Sequence, residues 1–135
     1  MIVVDSNIII YVHVQSEKTD LALRSLQRDP CWVAPPLWES EFRNVMAGYI
    51  RRRILNVEDA KRVMQSALKT MEGREILPPA GLVLDLVAVS DCSAYDCEYV
   101  ALARHLQVKL VTTDSKILRS FPETAIELSV FSGSL

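Results

Sequence analysis

The sequence lacks the features that mark several common classes of small protein. Its three cysteines are an odd number without a C-x-x-C pair, so neither a disulfide framework nor a cysteine zinc site is indicated. The two histidines stand alone, outside any metal-binding or catalytic motif. The apolar stretch at residues 2–14 is interrupted by polar residues and is too short to span a bilayer. The net charge of −2 is not the basic excess typical of nucleic-acid binders.

What the sequence does contain is enough apolar material for a well-formed core. Of its 135 residues, 50% are hydrophobic and 24% are charged, which predicts one globular domain spanning residues 1–135 and argues against disorder. We interpret the three cysteines as small core residues in a reducing compartment, which predicts a cytoplasmic protein without a membrane segment.

Short apolar segments alternate with helical patterns along the chain. The segments at residues 2–4, 31–34, 75–77, 109–113 and 125–130 are typical of strands, and residues 7–14, 17–28, 37–53, 57–72, 80–89, 93–106 and 115–121 of helices. This alternation predicts an α/β fold, a single-domain α/β/α sandwich with a central parallel sheet of about five strands.

Three aspartates stand where chemistry is expected in such a fold. Asp5 ends the first predicted strand and Asp114 ends the fourth, and a helix cap is the alternative role for each. Asp96 lies in the first turn of a predicted helix, where Ser93 is the expected cap. At 100° per residue Asp96 borders the apolar face of that helix, and a carboxylate turned toward a core is unfavourable unless it is paired or binds a metal.

The predicted long helix offers two glutamates, Glu39 and Glu41, beside its apolar stripe. They point in opposite directions, so helical periodicity does not choose between them. Glu39 has a surface partner in Arg43, four residues on, whereas Glu41 has no basic residue four positions away. This difference favours Glu41 for a role in a site.

In a parallel sheet, the strand ends and the helix starts that follow them share one edge. We therefore expect Asp5, Asp96 and Asp114 to converge there, within reach of the long helix and its Glu41. Two carboxylates about 4 Å apart repel by roughly 4 kcal/mol at an effective dielectric constant near 20, so such a cluster predicts a bound cation. An all-oxygen set of ligands favours Mg²⁺ or Mn²⁺, which activates water for attack on a phosphodiester.

The order and spacing of these motifs resemble those of the PIN-domain nucleases and, within them, the small ribonuclease toxins of the VapC type. The matching segments cover nearly the whole chain and are residues 3–7 (VVDSN), 41–45 (EFRNV), 93–103 (SAYDCEYVALA) and 110–114 (LVTTD). The resemblance places the catalytic and metal-binding acids on Asp5, Glu41, Asp96 and Asp114, and supporting polar groups on Asn7 and Thr112.

The resemblance also implies an activity and partners. It implies Mg²⁺-dependent cleavage of RNA, a homodimer, and neutralisation by a cognate antitoxin protein. Apolar residues such as Trp38 and Tyr49, which one small domain is not expected to bury fully, add to the case for the homodimer. We therefore predict an Mg²⁺- or Mn²⁺-dependent endoribonuclease, the toxin of a toxin–antitoxin pair, that uses metal-activated water.

Basic residues in two places are candidates for contact with RNA phosphates. Lys116 and Arg119 follow Asp114 closely, and Arg51 and Arg52 belong to the arginine run that ends the long helix. For the arginine run, stabilisation of the helix C-terminus is the alternative, and contact with an acidic antitoxin segment is another.

Two other functions share part of this pattern. A phospho-acceptor receiver domain is also a parallel α/β sandwich, but it needs two adjacent acids after its first strand and a lysine after its last. Here Ser6 and Asn7 follow Asp5, and residues 125–130 contain no lysine. A catalytically silent PIN fold that serves as a binding module is the other alternative, and the complete set of four acids argues against it.

Overall fold

The computed structural model describes residues 1–133 and contains a four-stranded parallel sheet. In chain order its strands are β1 (Ile2–Val4), β2 (Trp32–Val33), β3 (Leu110–Thr112) and β4 (Ala125–Glu127). Their order across the sheet is β2-β1-β3-β4, and every neighbouring pair is parallel. The predicted α/β fold is confirmed; the final two residues of the predicted domain, 1–135, lie outside the described residues.

Helices connect the strands and flank the sheet. They are α1 (Ser6–His13), α2 (Thr19–Arg28), α3 (Leu37–Arg51), α4 (Val57–Thr70), α5 (Ala80–Ala88), α6 (Ala94–Leu106), α7 (Ser115–Ser120) and α8 (Leu128–Phe131). Helix α1 contacts α2, α3 and α4, and α3 contacts α4, whereas α5 packs along α6, which contacts β1 and β3. Within residues 1–133, no helix has the length and apolar content needed to cross a membrane.

The sheet has four strands instead of about five because the segment predicted as a strand at residues 75–77 makes a single bridge. Glu75 pairs with Ala34, and the Ile76 N–H donates to the Ala34 carbonyl at 3.1 Å. Pro78 and Pro79 follow at once and have no N–H to extend the ladder. The last predicted strand, residues 125–130, is also shorter, because the Glu127 carboxylate accepts the Ser129 N–H and begins α8.

The first strand is the centre of the core. Ile2, Val3 and Val4 are all buried, and β1 pairs with β2 on one side and β3 on the other. A strand that is apolar on both faces requires cover above and below, which is why it lies inside a parallel sheet flanked by helices. This position places the next residue, Asp5, at the middle of the sheet edge.

Helix α3 is anchored to this core by aromatic side chains. Trp38 and Phe42 are both 0% exposed, and their rings meet edge to face with centroids 5.8 Å apart. The expectation that one domain would leave Trp38 incompletely buried is therefore wrong, since the chain buries it without a partner. Tyr49, three turns after Trp38, is partly buried, as expected.

Removing the Trp38 ring should strongly destabilise the protein. We expect Trp38→Ala to lower the free energy of unfolding by about 3–5 kcal/mol, because it leaves a large cavity under α3. The control is Arg43→Ala on the exposed face of the same helix, which should cost at most about 0.5 kcal/mol. Urea denaturation of both variants measures this, and equal losses would contradict the packing described for α3.

Candidate active site

A pocket of about 490 Å³ opens at the carboxyl edge of the sheet. It is lined by Asp5, Ser6, Asn7, Leu37, Ser40, Glu41, Asn44, Val45, Tyr95, Asp96 and Asp114. The four acids predicted from the sequence therefore line one pocket, although they come from four separate parts of the chain.

The Asp5 carboxylate is held by hydrogen bonds on both oxygens. Its Oδ1 accepts the Ser6 N–H at 2.8 Å and so caps α1, while its Oδ2 accepts the Thr112 hydroxyl at 2.7 Å. The Thr112 oxygen in turn accepts the Asp114 N–H at 3.0 Å. One buried hydroxyl on β3 thus fixes the ends of two neighbouring strands relative to each other.

The Asp96 and Asp114 positions are set by helix caps. The Ser93 hydroxyl accepts the Asp96 N–H at 3.0 Å, which confirms Ser93 as the cap of α6. Asp114 caps α7, because its Oδ1 accepts the N–H groups of Lys116 and Ile117 at 2.9 and 3.0 Å. For Asp5 and Asp114 the cap and the site were alternative roles in the sequence, but in the structure each of these two residues both caps a helix and lines the pocket.

Negative charge is concentrated in this pocket. Burial raises the pKa of Asp5 to about 6 from an ordinary 3.8, and the Glu41 and Asp96 charges add to the rise against the hydrogen bonds from Thr112 and Ser6. Burial also raises the pKa of Asp96, as does the charge of Asp114. The charges of Glu41 and Asp96 thus act on Asp5, and the charge of Asp114 acts on Asp96, which links the four carboxylates electrostatically.

The structure distinguishes Glu41 from Glu39. Glu41 lines the pocket, whereas Glu39 faces another direction and forms an ion pair with Arg43 at 3.6 Å. Glu39 also lies near Glu75, whose pKa is raised chiefly by their interaction. The surface partner expected for Glu39 is therefore present, and of the two glutamates only Glu41 is placed with the aspartates.

Tyr99 is a site residue that the sequence analysis missed. Its side chain is 1% exposed, and its hydroxyl donates to Glu41 Oε1 at 2.6 Å. Burial, followed by the Glu41 charge, raises the pKa of Tyr99 far above its ordinary value, so the phenol stays protonated. The available signal was a tyrosine one turn after Asp96 on the buried face of α6, since a buried tyrosine hydroxyl needs a partner.

The predicted basic residues lie at different distances from the acids. Lys116 is exposed next to the pocket, where its Nζ is 3.5 Å from the Asp91 carbonyl and its charge partly offsets the rise in the pKa of Asp96. Arg119 is exposed in the last turn of α7. Arg51 and Arg52 lie at the C-terminal end of α3, and Arg51 is about 15 Å along the helix from Glu41, at a rise of about 1.5 Å per residue.

The contacts of Arg52 support the alternative role of the arginine run. Its guanidinium lies 5.4 Å from the centre of the Tyr49 ring, and its Nε donates to the Gly48 carbonyl at 3.3 Å. A cation that caps the last carbonyls of a helix interacts favourably with the helix dipole. Neither Arg51 nor Arg52 lines the pocket.

The donor set of the pocket fits Mg²⁺ or Mn²⁺. Its potential ligands are carboxylate oxygens with no sulfur or imidazole among them, which is the set that hard divalent cations prefer. Across residues 1–133, no group of three or more acidic, histidine or cysteine side chains is arranged to enclose a metal ion. Mg²⁺ usually binds through one or two carboxylates and keeps several waters, so it does not need such a cage.

The chain is similar to known proteins in both sequence and structure. The PIN domain family matches residues 2–123 of the chain. Ribonuclease VapC3 of Pyrobaculum aerophilum is 25% identical over 124 residues, which are 90% of this chain and 95% of the relative. Two crystal structures share the fold. PAE2754 from Pyrobaculum aerophilum has a TM-score of 0.73 and 19% sequence identity, and the match covers 97% of this chain and 92% of that one. FitAcB from Neisseria gonorrhoeae has a TM-score of 0.72 and 18% sequence identity, and the match covers 95% of this chain and 98% of that one.

The acidic pocket should reduce the stability of the metal-free protein. Because the pKa of Asp5 is higher in the folded protein, about 6, than in the unfolded chain, the folded state binds this proton more tightly. The free energy of unfolding should therefore fall as pH rises from about 4 to 6 and stay low above that range. A difference of about two pKa units corresponds to about 3 kcal/mol.

We accordingly expect Asp5→Asn to increase the free energy of unfolding at pH 7 in EDTA by up to about 3 kcal/mol, and to give no such gain at pH 4. Urea denaturation at the two pH values measures the effect. Asp85→Asn, at an exposed position on α5, is the control and should change little. Because an Asn side chain can accept only one of the two hydrogen bonds that Asp5 receives, the pH dependence is the deciding readout. An effect of Asp5→Asn that is the same at pH 7 and pH 4 would contradict this account.

Proposed function

The chain belongs to the PIN domain family, and from that premise we propose that it is a metal-dependent endoribonuclease that hydrolyses phosphodiester bonds in RNA. The observation that carries the proposal is the single pocket lined by Asp5, Glu41, Asp96 and Asp114 at the carboxyl edge of the sheet. The relative named Ribonuclease VapC3, which aligns over most of both chains, supports RNA as the substrate.

In this proposal Asp5, Glu41, Asp96 and Asp114 together would hold Mg²⁺ or Mn²⁺, one or two of them directly and the others through bound water. The ion, when bound, supplies a water of lowered pKa and positive charge beside the phosphate. The protein supplies fixed ligands, because Ser6 and Thr112 hold Asp5, and the first turn of α7 holds Asp114. Lys116, which is exposed beside the pocket, would bind a neighbouring phosphate of the RNA. Asn7 lines the pocket and can orient a water or the RNA.

We further propose that the enzyme is the toxin of a toxin–antitoxin pair, works in the cytoplasm as a homodimer, and is neutralised by an antitoxin protein. The toxin role rests on the likeness to the VapC type. The homodimer is supported by exposed apolar side chains around α5, where Leu77 is 78%, Leu84 66% and Val89 75% exposed. Apolar side chains that cluster on a surface are typical of protein–protein contacts.

Cleavage of RNA tests the proposed activity. A labelled structured RNA incubated with the protein and Mn²⁺ should be cut, and EDTA should stop the reaction. Glu41→Gln should reduce the rate at least about a hundredfold, because it removes a negative ligand from the cluster. Glu39→Gln is the matched control on the same helix and should retain activity, since it loses only a surface ion pair.

The ends of the products provide a second readout of the same experiment. With water as the nucleophile, the products should carry 5′-phosphate and 3′-hydroxyl ends. Cleavage in EDTA, equal loss of activity in both glutamine variants, or 2′,3′-cyclic phosphate ends would contradict the proposal. An intact protein that binds RNA without cutting it would favour the silent binding module instead.

The homodimer has its own test in solution. We expect sedimentation at micromolar concentration to show a dimer, and Leu84→Glu to shift it to monomer, because a charge cannot be buried unpaired in an apolar contact. Leu23→Glu is the control, since Leu23 is 41% exposed on α2, a different helix. A native protein that remains monomeric, or two variants with the same effect, would count against an interface at α5.

A further inference from the structure

The buried hydroxyl of Tyr99 makes a contact that has no role in the proposed function as described above. It crosses from α6 to α3 and donates to Glu41 Oε1 at 2.6 Å, joining residues 58 positions apart in the sequence. This length falls in the range of about 2.5–2.7 Å that is typical of hydroxyl bonds to a charged oxygen. The ring itself is 1% exposed, so Tyr99 is fixed by the packing of the core.

We propose that Tyr99 is a positioning residue that holds one oxygen of Glu41 and leaves the other for the cation. This inference rests on the proposed metal-dependent function and assigns a role within the same site. Tyr99 is not among the residues that line the pocket, so it acts through Glu41 and does not touch the RNA or the cation itself.

The need for such a residue follows from the surroundings of Glu41. Its charge acts on Asp5, which is buried, so the two carboxylates repel each other when no cation is bound. Glu41 is only partly buried and has a flexible side chain that could turn toward water. A donor fixed in the core opposes this movement and keeps the carboxylate at the pocket before the cation arrives. Partners of this kind orient metal ligands in many proteins.

If the bond between Tyr99 and Glu41 had a purely structural role, its loss would have a different effect from the one that the positioning role predicts. If Glu41 served only to satisfy the buried Tyr99 hydroxyl, loss of that hydroxyl would change the stability of the metal-free protein and leave metal affinity alone. If Tyr99 positions Glu41, its loss lowers the affinity for the cation. Metal affinity therefore separates the two roles without any measurement of RNA cleavage.

Thermal melts of the whole protein across a range of Mn²⁺ concentrations, after removal of metal by EDTA, provide the test. Binding should raise the melting temperature by mass action, and the concentration dependence of the rise gives the affinity. Tyr99→Phe keeps the ring and its packing, and we expect its affinity for Mn²⁺ to be about 10- to 100-fold lower. Tyr49→Phe, on the same helix as Glu41, is the matched control and should retain native affinity.

A double-mutant comparison shows whether the effect passes through Glu41. In a Glu41→Gln background, Tyr99→Phe should lower the affinity for Mn²⁺ no further, because the carboxylate it positions is already gone. Unchanged affinity in Tyr99→Phe, or an equal loss in both backgrounds, would overturn the proposal. A native protein with no response to Mn²⁺ would overturn the proposed metal site as well, and that result is read from the native curve alone.

Discussion

The buried carboxylate of Asp5 is the constraint around which the rest of the site is arranged. A carboxylate 7% exposed at the end of an apolar strand is unfavourable in isolation, because burial disfavours its charge. Two groups donate hydrogen bonds to this carboxylate: the backbone N–H at the start of α1 and the hydroxyl of Thr112 on β3. Neither donor neutralises the charge, and the other acids add to it. The folded chain therefore keeps a negatively charged pocket at the carboxyl edge of the sheet, and a divalent cation bound there would reduce the repulsion between the carboxylates.

Much of this arrangement could be predicted from the sequence because it depends on local patterns. The apolar run at residues 2–4 fixes a central strand, and a polar residue directly after such a strand must lie at the carboxyl edge of the sheet. Caps at Ser93 and Asp114 are likewise set by residues a few positions away. The identification of Glu41 needed more than periodicity, since Glu39 and Glu41 are equivalent by that criterion until a family pattern or a structure separates them.

What the sequence did not reveal depends on contacts between distant segments. Residues 75–77 reach the sheet only through the bridge between Glu75 and Ala34, a contact between segments about 40 positions apart. The burial of Trp38 depends on how α3 docks, which a helical pattern does not specify. The bond from Tyr99 to Glu41 joins two helices whose relative position is set by the whole sheet. In each case the residue type permitted the contact, and only the tertiary structure determined it.

The bond between Thr112 and Asp5 also bears on when the site can exist during synthesis. It joins residues 107 positions apart, and β1 pairs directly with β3 in the sheet. Until β3 and the residues after it have emerged from the ribosome, the nascent chain lacks both the strand that pairs with β1 and the carboxylate of Asp114. The pocket is therefore completed only after the chain as far as Asp114 has left the ribosome, so shorter nascent chains contain some of the acids but not the assembled site.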